Sequence, residues 1–177
     1  MRVVPALLAV LALAACDRGG EAETADQTVV ARTSETELPA WLSPTDGSDP
    51  ARWLAGREAG HPLPADAEPV RALRATLAAA APGFIEDPRM IANRTVQLGQ
   101  MLAEVGKGNG ESYGTLIGGL GQVAARRGRH KSLYGEMCQH YVNIRNRGLD
   151  HVAALAVLAR DGRQPLDESR GDARGTP

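Results

Sequence analysis

The sequence predicts an all-α fold, a compact bundle of about five short helices behind a disordered tether. Three observations carry that prediction. Aromatic residues make up only 3% of the chain and Phe84 is its one phenylalanine, so the core has to be built from Leu, Val, Ile, Met and Ala. That palette suits helices better than a sandwich or barrel, which draws on β-branched and aromatic residues. Between Asp66 and Arg160, apolar residues recur at spacings of three and four in successive stretches, the mark of amphipathic helices. Punctuation fits as well: Asp-Pro at 49–50 and 87–88 reads as a cap followed by proline in the first turn, and glycines mark the stops.

The N-terminus comes first in chain order and has a character of its own. Met1-Arg2 is a short cationic start, Val3 to Leu13 is an unbroken apolar run, and Leu13-Ala14-Ala15-Cys16 closes it with small residues before a cysteine. The run is shorter than the roughly 20 apolar residues a bilayer crossing needs. It fits the roughly 7–15 residues of a secretory signal. The four closing residues resemble the lipobox of bacterial lipoproteins, whose cysteine is acylated and becomes the mature N-terminus. The resemblance covers residues 1–17 only. It implies a signal peptide over residues 1–15, cleavage between Ala15 and Cys16, and acyl chains on Cys16. Two or three chains on one cysteine hold a protein far more firmly than one, each buried CH₂ contributing about 0.8 kcal/mol. Asp17 resembles the residue that keeps lipoproteins of enteric-type bacteria in the inner membrane. The expected location is therefore the bacterial envelope, facing the periplasm, with the inner membrane favoured over the outer.

Residues 16–38 form a polar stretch rich in acids, against Arg18 and Arg32 alone. It buries too little apolar surface to offset its ordering entropy, so it reads as a disordered, lipidated tether. Residues 39–64 differ: five prolines are interleaved with Trp41 and Trp53, and a short helix is predicted from Ala51 to Arg57, stopping at Gly60. This strap either lies back on the body or serves a partner, since tryptophans are enriched at interface hot spots.

The bundle itself is expected over residues 65–161. Asp66 to Ala80 carries Val70, Leu73 and Leu77 on one face, and Pro82-Gly83 ends it. After Asp87-Pro88, a second helix aligns Ile91, Thr95, Leu98, Leu102 and Val105. A third, from Glu111 to Arg127, aligns Tyr113, Leu116, Ile117, Leu120, Val123 and Ala124, and Gly110, Gly114 and Gly118 recur every fourth residue, with Gly119 and Gly121 beside them. Glycine inside a helix costs up to about 1 kcal/mol relative to alanine, so close approach of a neighbouring helix is expected in return. Lys131 to Arg147 is the fourth helix, with Leu133, Met137, Tyr141 and Ile144 inward and Cys138 beside them. Asp150 caps the fifth, which carries Val152, Leu155 and Leu158. Residues 162–177 read as a frayed tail.

Candidate chemistry is sparse. The chain has two cysteines; with Cys16 acylated, Cys138 has no partner and reads as a small buried hydrophobe. Four histidines, His61, His130, His140 and His151, show no metal-ligand spacing, so no metal and no cofactor are expected. Glu136 and His140 stand four apart on one face, where a carboxylate can orient an imidazole. Glu111-Ser112 followed by Gly119-Leu120-Gly121-Gln122 resembles lytic transglycosylases, in which a helix-borne glutamate precedes a Gly-Leu-Met-Gln-like element. That resemblance implies Glu111 as a glycan-cleaving acid. Here, however, the two elements are about two turns apart, without the loop that separates them in that family, and such an acid needs a desolvating cleft. Arg126, Arg127, Arg129, His130 and Lys131 cluster at a corner between helices, where cations suit a helix C-terminus or meet an acidic partner.

The expected function is a non-enzymatic, lipid-anchored interaction or accessory module. Its partners are the membrane, through Cys16, and an envelope protein, through Trp41, Trp53, Arg126, Arg127, Arg129 or Lys131; an exported chain meets no nucleic acid. The alternatives are a small cell-wall-active enzyme using Glu111, or an envelope lipid- or ligand-binding protein with a groove beside the glycine-rich helix.

Overall fold

Helices begin where the sequence supplies a cap. The computed structural model describes residues 38–161 apart from Asp46, Asn109 and Arg129. Six helices follow one another: α1 (Pro50–Ala59), α2 (Glu68–Ala80), α3 (Pro88–Glu104), α4 (Tyr113–Arg126), α5 (Tyr134–Asn146) and α6 (His151–Asp161). The described residues contain no strand, so the fold is all-α. Five helices form the expected bundle and α1 belongs to the strap. Ala15, Cys16, Asp17, the rest of the tether up to residue 37, and the tail 162–177 lie outside the described residues.

Both Asp-Pro starts work as caps. Asp49 accepts from the Ala51 amide at 2.9 Å, and Asp87 accepts from the Met90 amide at 2.8 Å. Helix α1 ends on Gly60 at φ +76°, a left-handed conformation that a side chain would disfavour.

Three starts fall later than the sequence suggests, α2 beginning at Glu68 instead of Asp66. Helix α4 begins at Tyr113 because Ser112 caps it, its Oγ accepting from the Thr115 amide at 3.1 Å. Residues 131–133 are not helical because their backbone is tied elsewhere: Ser132 N donates to the Gly83 carbonyl at 2.9 Å, and Ile85 N to the Ser132 carbonyl at 3.1 Å. Helix α5, which lacks a local cap, takes one from a distance instead. The Glu86 carboxylate accepts from Tyr134 N at 2.9 Å and Gly135 N at 3.0 Å.

Helix α4 is the centre of the packing, lying against α2, α3, α5 and α6. Its glycines explain how. A Cβ on Gly121 would come within 2.8 Å of Ala80 Cβ on α2, and one on Gly119 within 2.6 Å of Leu155 Cδ1 on α6. Close approach therefore occurs, but not at the every-fourth-residue glycines. Gly110 precedes the helix and faces open space, while Gly114 and Gly118 would make ordinary contacts with Leu73 and Thr76.

The strap is part of the body. Leu42 is fully buried, and Asn93 of α3 holds it at both backbone groups. Leu42 N donates to Asn93 Oδ1 at 2.9 Å, and Asn93 Nδ2 donates to the Leu42 carbonyl at 3.0 Å. A buried amide satisfied on both sides avoids the 1–3 kcal/mol or so that an unpaired one costs. Trp53 is buried too, its indole N–H donating to the Pro39 carbonyl at 2.8 Å. Trp41 instead remains 47% exposed. Cys138 lies in the core, where burial pushes its thiol up to about 12.

Gly121→Leu is expected to lower stability by about 1–3 kcal/mol in urea denaturation, by overpacking against α2. Gly110→Ala, which meets nothing, is expected to stay within about 0.5 kcal/mol of the parent.

Candidate functional site

Residues on the inward face of α5 repeat with helical spacing, and one of them is charged. Arg145 stands four residues after Tyr141, so both point the same way; Arg145 is 6% exposed and Tyr141 fully buried. A guanidinium there needs partners, because a buried charge without them is very costly. It has two. One Nη donates to Glu111 at 2.5 Å and to the Tyr141 hydroxyl oxygen at 2.6 Å. That hydroxyl in turn lies 2.7 Å from Nδ1 of His151, the first residue of α6.

The direction of these bonds follows from what each group can do. Arginine only donates, so the Tyr141 oxygen accepts from Arg145. The phenolic proton is then free for His151 Nδ1, which accepts it. In a neutral imidazole the remaining proton sits on Nε2. Burial pulls the His151 pKa down, against the opposing field of Glu111, which keeps the ring neutral near pH 7. Burial also raises Tyr141, which stays protonated. For Arg145, burial opposes the charge, but the bonds to Glu111 and Tyr141 outweigh it and hold the pKa above its ordinary value. A relay of four side chains thus joins the turn before α4 to α5 and α6.

His151 carries this relay to a surface groove between α4 and α6, about 490 Å³ in volume. Gly114, Gly118 and Gly119 of α4 line it, the last lying under the His151 and Leu155 side chains. Val123, Val152 and Leu155 give it apolar walls, and Thr115, Gln122 and Arg126 add polar points. Val152 is 75% exposed, and Arg126 has no carboxylate partner among the described residues.

The other residues singled out from the sequence are placed as follows. Glu111 is not borne on a helix but precedes the cap of α4, its carboxylate is engaged by Arg145, and it does not line the groove. Arg127 is half-buried and donates to the Leu158 carbonyl at 3.2 Å, so it braces α6 instead of facing solvent. Arg126 and Lys131 are exposed; Arg129 lies outside the described residues. Trp53 is in the core and Trp41 on the surface. His140 pairs with Asp161 at 3.3 Å, not with Glu136. The described residues contain no cluster suited to a metal ion. Sequence reading missed Arg145, Tyr141 and His151 as a unit. The available signal was an arginine four residues beyond an inward tyrosine, on a face otherwise apolar.

Fold and site together define a small α-helical body with a groove and a buried polar relay. The MoxZ family model matches residues 51–163, which take in nearly all of the six helices, and the chain belongs to the MoxZ family. No curated protein and no solved structure matches it.

Removing one end of a buried ion pair strands the other, at about 3–5 kcal/mol. Arg145→Met is accordingly expected to cost about that much in urea denaturation. Glu111→Gln/Arg145→Met together should recover a large part of the loss, because no uncompensated charge remains.

Proposed function

We propose that this chain is a lipid-anchored protein of the bacterial envelope whose helical body serves as a non-enzymatic interaction module. The observation that carries the anchoring is Leu13-Ala14-Ala15-Cys16 at the end of an apolar run too short to span a bilayer. No helix among the described residues is long and apolar enough to cross a membrane. Asp17 favours the inner membrane under the same reading.

Support for the module reading comes from how the reactive groups are used. The only carboxylate suggested as an acid, Glu111, is bound to a buried guanidinium. What remains outward-facing is suited to contact: Trp41 at 47% exposure, the cations Arg126 and Lys131, and the α4/α6 groove. The proposed partner is an envelope protein. Bound through acyl chains, the body would meet it at the membrane surface, where tethering raises the effective concentration of both.

Expressed in a bacterial host, the wild-type chain is expected to incorporate labelled palmitate and partition into the detergent phase. Cys16→Ser should do neither. A wild-type chain recovered soluble with Met1 at its N-terminus overturns the anchoring.

A further inference from the structure

The α4/α6 groove combines features that select a ligand class. Its walls are apolar, and Gly114 and Gly118 line it without side chains, so an apolar group can lie against backbone there. Its volume of about 490 Å³ falls within the roughly 300–1,000 Å³ of ligand-binding clefts. Beside Thr115 and Gln122, which can donate or accept, two of its polar points act as donors here. One is Arg126, a cation with no carboxylate partner among the described residues. The other is His151, whose Nδ1 is occupied by Tyr141, leaving an N–H on Nε2.

The acids closest to the histidine end are already engaged. Glu111 is held by Arg145, and Asp150 accepts from the Ala153 amide at 2.8 Å as the cap of α6. The uncompensated charge of the groove is therefore positive, and it favours an anion. Spacing narrows the choice further. His151 packs on Gly119 and Arg126 lies seven residues beyond it on the same helix, so the two backbone positions stand about 10 Å apart along α4 at 1.5 Å per residue. An extended peptide covers that distance in about three residues. A carboxylate at Arg126 would leave an upstream backbone carbonyl at His151, and small apolar side chains between Val123, Val152 and Leu155.

We propose that this groove binds the free carboxyl end of a short, extended peptide segment with small apolar side chains. The terminal carboxylate pairs with the Arg126 guanidinium, and a backbone carbonyl about three residues upstream accepts from His151 Nε2. The proposal rests on reading the body as an interaction module and names the chemistry of what it takes.

Calorimetric titration of the full mature chain in detergent micelles tests it, with acetyl-Ala-Val-Ala as free acid, the same peptide as its amide, and octanoate as probes. The free acid is expected to bind at least about tenfold more tightly than the amide and than octanoate. Arg126→Gln, at an exposed residue, should abolish the preference for acid over amide. Val152→Glu, which places a carboxylate in the groove wall, should weaken the free acid at least about tenfold. Circular dichroism of both variants should match the parent. Equal affinity for acid and amide, no detectable heat with the free acid at about 1 mM, or an unchanged preference in Arg126→Gln overturns the proposal. Octanoate binding as tightly as the peptide overturns the peptide assignment. Failure here leaves the acylation test untouched, so loss of the groove ligand and loss of the anchor are read separately.

Discussion

Arginine keeps its charge at any pH the protein meets, and here one arginine lies in the interior. Arg145 has to be answered by an anion and by oriented dipoles, and Glu111 and Tyr141 are the groups that answer it. Those two groups come from different parts of the chain, the turn before α4 and the preceding turn of α5. Their positions, and through Tyr141 that of His151, are thereby fixed to within hydrogen-bond tolerance. Such an arrangement is not an economical way to stabilise a fold. Replacing a buried pair by apolar groups is often neutral or favourable, and Glu111 Oε2 and Arg145 Nε are buried without a partner in the protein. What the arrangement does supply is orientation. An imidazole that would otherwise rotate and choose its tautomer is held with one nitrogen inward and the other at a groove.

Helix α4 is what allows the groove to lie so close to the relay. Gly121 lets Ala80 of α2 approach on one side, and Gly119 lets His151 and Leu155 of α6 approach on another. A side chain at either position would push a neighbouring helix outward. At Gly119 it would also displace the histidine ring. The helix-propensity cost of these glycines, up to about 1 kcal/mol each, is thus met by the packing they permit.

Much of the fold was legible from the sequence because helical cores announce themselves in one dimension. The apolar stripes of α2 to α5, the two Asp-Pro caps and the Gly60 stop depend on local spacing and local sterics. By contrast, Leu133, expected inward, lies before α5 and is 41% exposed, and Val152, expected on the stripe of α6, is 75% exposed. What was not legible depends on partners distant in the chain. The start of α5 shifts because Ser132 pairs with Gly83 and Ile85, and Glu86 supplies the missing cap. Trp41 and Trp53 look alike in a proline-rich strap, yet one is buried with its N–H on Pro39 and the other is exposed. Arg127 looks like part of a solvated basic corner until α6 brings the Leu158 carbonyl to it. The relay belongs to the same class. Glu111 drew attention for its neighbour Ser112, whereas its actual significance lies in Arg145, 34 residues on.

The protonation of the His151 ring tests this account most directly. Long-range proton–nitrogen NMR correlation on the mature chain near neutral pH distinguishes the two ring nitrogens. The account predicts a neutral imidazole with Nδ1 unprotonated and accepting from Tyr141, and the proton on Nε2. Tyr141→Phe should release that preference. A proton on Nδ1 in the parent, or an imidazolium at that pH, would contradict it.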